Sequence, residues 1–419
     1  MSSRGAPSPH LLVWGIVVVL SMIDPTSKNK VAVRILVKLL FVGLSVCLAA
    51  CQASEPVLVY DGKKLETKYG IQSLAWHPGG KIIAVGYFMQ DEVEVWDIES
   101  NQSLLTIPSK RRPINQSGQE LLFSPDGRYL VVQDTRDNRN GVPPISRRSK
   151  DPDDAEARKD VDRFRLASVW DVRNKVKVSE LNGPASGYHG LAPSGMCWRH
   201  GSFDQMMILR NYSVQYFDVA HGVLIHEASP HKIINYWPIA NGFFKFSCSN
   251  SSDLIVTVGY QQFPNAKGWW DKENMSVQQT PITLIQNGKV VSEAYSATML
   301  HNARFVGDDR LITYGWYPLR IWSTQPTLKQ IGEIPDAGAG EAGFVVLPDK
   351  QHVVGIGKKM EVWDLTTLKK VQSLPSPSEP FRAELSPSGR ELAVASGRTI
   401  YFYRNTLSPE VHATKKEGQ

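Results

Sequence analysis

The 419-residue chain has no long hydrophobic run. Its apolar stretches Leu11 to Ile23 and Leu39 to Ala50 would reach only about 18–20 Å as helices, short of the ~30 Å of a bilayer's hydrocarbon. The body of the chain also lacks an excess of charge. Of the formal +6, much belongs to Arg4, Lys28, Lys30, Arg34 and Lys38, which face a single acid, Asp24; without these six residues 42 basic and 40 acidic side chains remain, a net of +2. A surface so close to neutral offers no general field for a polyanion, which argues against nucleic acid as a partner. Motifs are missing too: there is no Gly-rich phosphate loop, no Gly-x-Ser-x-Gly elbow and no His-Glu-x-x-His helix. His221, His226 and His231 are five apart, which on a strand sends neighbours to opposite faces, so neither a metal site nor another cofactor is expected. Cysteine is scarce, at four residues, of which only Cys197 and Cys248 lie beyond residue 51.

What is present begins with an address. Residues 28 to 51 read KNKVAVRILVKLLFVGLSVCLAAC, a basic stretch, a short apolar run and then small residues. That is the layout of an export signal rather than of a folded segment. Its end, Leu48-Ala49-Ala50-Cys51, resembles the lipobox of bacterial lipoproteins. The resemblance implies that Cys51 is diacylated and becomes the first mature residue, with two or three acyl chains forming a stable membrane anchor. Gln52 follows the cysteine rather than Asp, which in a double-membraned bacterium resembles the outer-membrane default, on its periplasmic face. Met22 is an alternative start, which would make residues 1–21 an extension; the other reading of Leu11 to Ile23 is an extra membrane segment. The expected organisation is a leader over 1–50, a lipidated tether over 51–55, one domain over 56–405 and a flexible tail over 406–419.

Past Ser54 one pattern recurs: a short strand, a turn rich in Pro, Asp and Gly, an apolar strand, a connection, and a strand ending in an aromatic and often Asp. The best copies are Leu74-Ala-Trp-His-Pro-Gly-Gly-Lys-Ile-Ile-Ala leading to Trp96-Asp97, and Leu122-Phe-Ser-Pro-Asp-Gly-Arg-Tyr-Leu-Val leading to Trp170-Asp171. Further endings fall at Phe217-Asp218, Thr283-Leu284, Trp322, Trp363-Asp364 and Tyr401-Phe402, spaced by 74, 47, 67, 38, 41 and 39 residues. The shorter spacings match the ~40–45-residue period of four-stranded propeller blades, and seven endings mean seven blades. The three Trp-Asp pairs and the Ser-Pro-Asp-Gly turn resemble the WD40 family, without the Gly-His dipeptide that opens many of its repeats. The resemblance implies an all-β, seven-bladed β-propeller. The last repeat lacks an outer strand, and Pro56 to Tyr60 is a spare one, so the N-terminal strand is expected to close the ring and hide both edges.

Blades two and four are long, and both insertions fall between second and third strands, on the rim that also carries the links between blades. Residues 135–165 mix charges with few apolar side chains and are expected to be disordered when free. The same rim collects Phe88, Tyr188, Tyr236, Trp237, Trp269, Trp270, Trp316 and Tyr317, with a basic patch around Arg111 and Arg112. Exposed aromatics mark binding surfaces, although they also plug gaps between blades. In the repeat alignment Cys248 takes the place of Phe123, and Cys197 falls one residue earlier, on the other face of its strand. That points to two buried free thiols, although export would permit a disulfide. Two functions stay open: a membrane-anchored, non-catalytic protein–protein interaction scaffold of the cell envelope, or a propeller hydrolase or lactonase, or glycan-binding module. The inner strands of blades one to four carry almost no carboxylates, which favours the first.

Overall fold

The computed structural model describes residues 56–88, 90, 92–108, 120–133, 163–184, 195–210, 213–228, 245–259, 280–298, 300–315, 318–335, 337 and 343–407. Every regular element among them is a strand, and they form seven antiparallel four-stranded sheets. Blade one is β2 (Ile71–Trp76), β3 (Ile82–Tyr87), β4 (Glu92–Asp97) and β5 (Gln102–Pro108), from the inner strand outward. Blade two is β6 (Leu121–Phe123), β7 (Tyr129–Gln133), β8 (Arg163–Asp171) and β9 (Val176–Pro184). Blade three is β10 (Gly195–Trp198), β11 (Gln205–Arg210), β12 (Ser213–Asp218) and β13 (Val223–Ala228). Blade four is β14 (Lys245–Cys248), β15 (Leu254–Val258), β16 (Thr280–Gln286) and β17 (Lys289–Ser296). Blade five is β18 (Leu300–Phe305), β19 (Arg310–Gly315), β20 (Leu319–Ser323) and β21 (Lys329–Ile334). Blade six is β22 (Phe344–Val346), β23 (His352–Ile356), β24 (Lys359–Asp364) and β25 (Lys370–Pro375). Blade seven takes β26 (Pro380–Leu385), β27 (Glu391–Ser396) and β28 (Thr399–Asn405) from the C-terminal part and its outer strand, β1 (Leu58–Glu66), from the N-terminal part.

The expected closing strand is therefore present, and longer than Pro56 to Tyr60. β1 pairs antiparallel with β28 from Leu58↔Asn405 to Glu66↔Thr399, with a register shift between Tyr60 and Lys64. Inner strands β2 and β26 then touch, so blade one meets blade seven and the ring is complete.

Among the described residues there is no single central core. The buried apolar side chains fall into seven clusters, and each lies between two neighbouring blades. Strand alternation explains this, because each sheet presents one set of side chains to the blade before it and the other set to the blade after it. Met206, Ile208 and Phe217 of blade three pack with Val131 and Leu166 of blade two, while Met207, Leu209 and Val214 pack with Ile255 and Ile285 of blade four.

The same alternation corrects the reading of the two cysteines as free thiols. Cys197 and Cys248 form a disulfide with Cα atoms 6.3 Å apart. The one-residue offset is real, since Cys197 pairs with Met207 and Cys248 with Ile255. Neighbouring blades meet through opposite faces, however, so the offset brings the thiols together. Among the described residues this interface has the fewest buried apolar side chains, Met207, Leu209, Val214, Ile255 and Ile285. The covalent link sits where hydrophobic contact is thinnest.

Turn chemistry repeats with the blades. In the turn after β6, Ser124 Oγ donates to Asp126 (2.5 Å) and accepts from the Tyr129 amide (2.8 Å), while the Gly127 amide donates to the Ser124 carbonyl (2.8 Å). Gly127 has φ of +76°, a conformation that favours glycine, and a Cβ there would press on the His77 ring of blade one. The Asp of each Trp-Asp pair shapes the next turn. Asp97 accepts from the Glu99 and Ser100 amides (both 2.9 Å), Asp171 from Asn174, Asp218 from His221, and Asp364 from Thr366 (2.8 Å) and Thr367 (2.6 Å).

A β-bulge also repeats, and the strand register moves two sequence boundaries by one residue. In blades one to six the pairing of third and fourth strands slips immediately before Trp96, Trp170, Phe217, Ile285, Trp322 and Trp363. The blade-four equivalent of the tryptophans is therefore Ile285, one residue after the expected Thr283-Leu284. By the same register Tyr403 ends blade seven rather than Phe402, since it pairs with Leu392 as Trp96 pairs with Ile83. Without Gly-His partners, three of the four third-strand tryptophans, Trp96, Trp170 and Trp322, bond within their own blades, whereas Trp363 Nε1 is buried without a hydrogen-bond partner among the described residues. Trp322 Nε1 donates to Thr313 Oγ1 (2.9 Å) and Trp170 Nε1 to Ser168 Oγ (3.1 Å).

The Ser100 and Glu99 amides hold Asp97 below its ordinary 3.8, and the Thr367 amide does the same for Asp364. The His221 side chain lowers Asp218, and at Asp171 burial pushes upward but the Asn174 and Arg128 donors outweigh it. The unfolded chain thus binds these protons at higher pH than the folded one. Their stabilisation is present above about pH 4 and is lost as pH falls further, through the folded values. Asp364→Ala is expected to cost about 1 kcal/mol near neutrality and to flatten the acid limb of stability against pH, measured by urea unfolding across pH. Replacing both Cys197 and Cys248 by Ser removes a link between residues 51 apart and is expected to lower unfolding stability by up to about 4 kcal/mol. The wild type, unfolded without reductant, should show no reactive thiol from this pair.

Candidate functional site

Antiparallel alternation sorts the connections onto two rims. Turns joining first to second and third to fourth strands lie on one, the turn rim. Links joining second to third strands, and one blade to the next, lie on the other, the loop rim. Phe88 belongs to the loop rim: it follows β3, is 50% exposed, and its amide donates to the Gly70 carbonyl (2.7 Å) in the link from blade seven to blade one. Arg111, Arg112, Tyr188, Tyr236, Trp237, Trp269, Trp270, Trp316 and Tyr317 lie outside the described residues, as does Cys51. The strand ends that flank these rim positions, such as Gly315 and Leu319 around Trp316 and Tyr317, lie on the same rim as Phe88.

Beneath Phe88 the rim is firmly built. Tyr87, fully buried, donates its hydroxyl to Glu94, and Trp96 Nε1 donates to both Tyr87 Oη (3.2 Å) and Glu94 Oε2 (3.1 Å). Burial first, and the Glu94 carboxylate second, raise the Tyr87 pKa, so it remains a phenol and a donor. Tyr69 sets its ring edge-on to Tyr87 (5.6 Å between centroids), and Lys68 Nζ lies 4.8 Å from the Tyr69 ring centre. Thr67 Oγ1 donates to the Arg398 carbonyl (2.9 Å) and ties this link to the neighbouring blade. Phe88 thus follows directly on a residue fixed by burial and hydrogen bonds, and its own backbone is held by the Gly70 carbonyl, while its side chain is half exposed.

The central channel carries a cluster that the sequence reading missed. Arg304 on β18 reaches Glu384 on β26 (3.6 Å), and Arg382 on β26 reaches the same carboxylate oxygen (3.7 Å). The contact joins the inner strands of blades five and seven past blade six. The Glu384 carbonyl also accepts from Trp76 Nε1 of blade one (3.1 Å). The i, i+2 spacing of Arg382 and Glu384 on a first strand was the available signal, but no local pattern shows that Arg304 meets them. Two guanidiniums on one carboxylate brace the ring across its opening. Of the three histidines, His221 Nδ1 lies 2.9 Å from Asp218 Oδ2 in a turn, His226 lies against the Tyr216 ring, and His231 is outside the described residues. Among the described residues there is no group of three or more His, Cys, Asp or Glu that could hold a metal.

No protein-family model matches the sequence, and no curated protein matches it. The fold is similar to the crystal structure of the β-propeller domain of Cps50 (Swd1) from Myceliophteria thermophila, with 11% identity, a TM-score of 0.58, and coverage of 83% of this chain and 99% of that one. At that identity the likeness shows the fold alone, a seven-bladed WD40-like β-propeller.

Glu384→Gln leaves Arg304 and Arg382 facing one another. It is expected to cost about 1 kcal/mol, the groups being partly exposed, and adding Arg304→Met should recover part of that loss in a double-mutant cycle read by chemical denaturation.

Proposed function

We propose that this β-propeller is an exported, lipid-anchored scaffold without catalytic chemistry, held to a membrane through Cys51 and offering its loop rim to a protein partner in the cell envelope. The observation that carries the reading is Phe88, a half-exposed aromatic on the rim whose flanking strand ends also border the links bearing Tyr188, Tyr236, Trp237, Trp269, Trp270, Trp316 and Tyr317. Large aromatic side chains supply contact area at small entropic cost and recur as anchors in protein interfaces. The Cys197–Cys248 disulfide supports export, because such bonds persist in oxidising compartments and are rare in the cytosol. Localisation is carried by Leu48-Ala49-Ala50-Cys51 and the basic, apolar and small-residue segments in order before it.

Affinity capture from detergent-solubilised membranes tests the rim. The wild type is expected to retain a partner that Trp269→Ala/Trp270→Ala loses at least several-fold; identical species at equal yield from both would remove the support for this face. Cys51→Ala is expected to move the protein from the membrane to the soluble fraction. Retention of a processed chain in the membrane would refute the anchor.

A further inference from the structure

The two ends of the ring differ in what leaves them. Pro56 and Val57 lie on the turn rim: Thr406 Oγ1 donates to the Pro56 carbonyl (2.6 Å), and the Thr406 amide to that of Val57 (3.0 Å), just past the end of β28. From there β1 climbs blade seven toward the loop rim and reaches it at Glu66, beside Thr67 and Arg398. Five residue steps separate Cys51 from Pro56, at most about 17 Å of extended chain. From Leu58 to Glu66, β1 spans the height of Asn405 to Thr399 on β28, six residue steps or about 20 Å, because its register shift between Tyr60 and Lys64 takes two residues out of the ladder. A tether that leaves the turn rim is therefore too short to bring Cys51 level with the loop rim.

We propose that the turn rim is apposed to the lipid surface, so that the loop rim and Phe88 point away from it. This inference rests on the lipidation of Cys51, and it adds the orientation. Side chains on that rim fit a lipid neighbour. Phe203, in the turn between β10 and β11, is 58% exposed, the most exposed large apolar residue among those described. Val176 and Val223 open β9 and β13 at the same rim, Val371 is the second residue of β25, and Leu407 follows Asn405; all four are exposed. They come from blades two, three and six and from the chain after blade seven, so the apolar positions are distributed around the rim. Its charges are partly neutralised in place, Lys81 by Glu99 (3.2 Å) and Arg128 by Asp171 (3.5 Å). Apposition thus depends on tether and apolar contact rather than on a basic patch, and responds weakly to salt.

The test uses the lipidated full chain reconstituted into vesicles of phosphatidylethanolamine and phosphatidylglycerol. An environment-sensitive fluorophore is attached at Phe203→Cys or at Phe88→Cys, the native Cys197 and Cys248 being bridged. Brominated lipid is expected to quench the Phe203→Cys label several-fold more than the Phe88→Cys label, with little change at high salt. Arg173→Cys and Lys68→Cys, exposed on the same two rims, repeat the comparison should either aromatic substitution impair folding. Vesicle flotation with equal or reversed quenching overturns the orientation alone, as does quenching at neither rim, the result if a protein rather than lipid covers the turn rim. Flotation of the wild type no better than that of Cys51→Ala overturns the anchor and the orientation with it.

Discussion

The pairing of β1 with β28 is the contact on which the ring depends. It joins residues at opposite ends of the domain, Leu58 with Asn405, and supplies the fourth strand that blade seven's own repeat does not encode. Leu58 also packs into the cluster between blades six and seven, and Leu65 into the one between blades seven and one. The Gln372 side chain of blade six holds both backbone groups of Leu58, accepting from its amide (2.9 Å) and donating to its carbonyl (2.7 Å). Removing β1 would therefore expose the β28 edge and thin two interfaces at once. Closing so long a loop costs little more than closing one half its length, because loop entropy grows only with the logarithm of length. The price is kinetic, since contacts so distant in sequence form late.

The rest of the domain is held by repetition. Each blade buries one face against its predecessor and one against its successor, so stability is distributed over seven interfaces rather than gathered at a centre. The interface between blades three and four has the smallest described cluster and also the disulfide. A covalent bond limits the unfolded state without needing apolar area, which suits it to that position.

Much of this was legible in the sequence, for identifiable reasons. Asp97, Asp171, Asp218 and Asp364 mark strand ends because an Asp there binds the amides of the turn that follows, a local demand written in local residues. Blade four was displaced by one because Ile285 stands where other blades have an aromatic, and a bulge leaves no mark in composition. The cysteines were misread because their strands were compared for a shared face, whereas packed blades meet through opposite ones. Arg304, Arg382 and Glu384 escaped notice because their meeting is a property of the ring and not of any strand. Of the expected loop-rim residues, Phe88 is the one within the described structure.

The antiparallel register of β1 also has a mechanical side. The hydrogen bonds of such a pair run perpendicular to the strands. A pull on Pro56 away from the turn rim acts along β1, so it loads the rungs from Leu58↔Asn405 to Glu66↔Thr399 in shear, all together. Lys63 adds an ion pair to Glu391 (2.8 Å) in the middle of that stretch. A pull directed across the blade at the Pro56 end would instead open the rungs one at a time. The seam that closes the ring thus withstands traction along β1 better than traction across it.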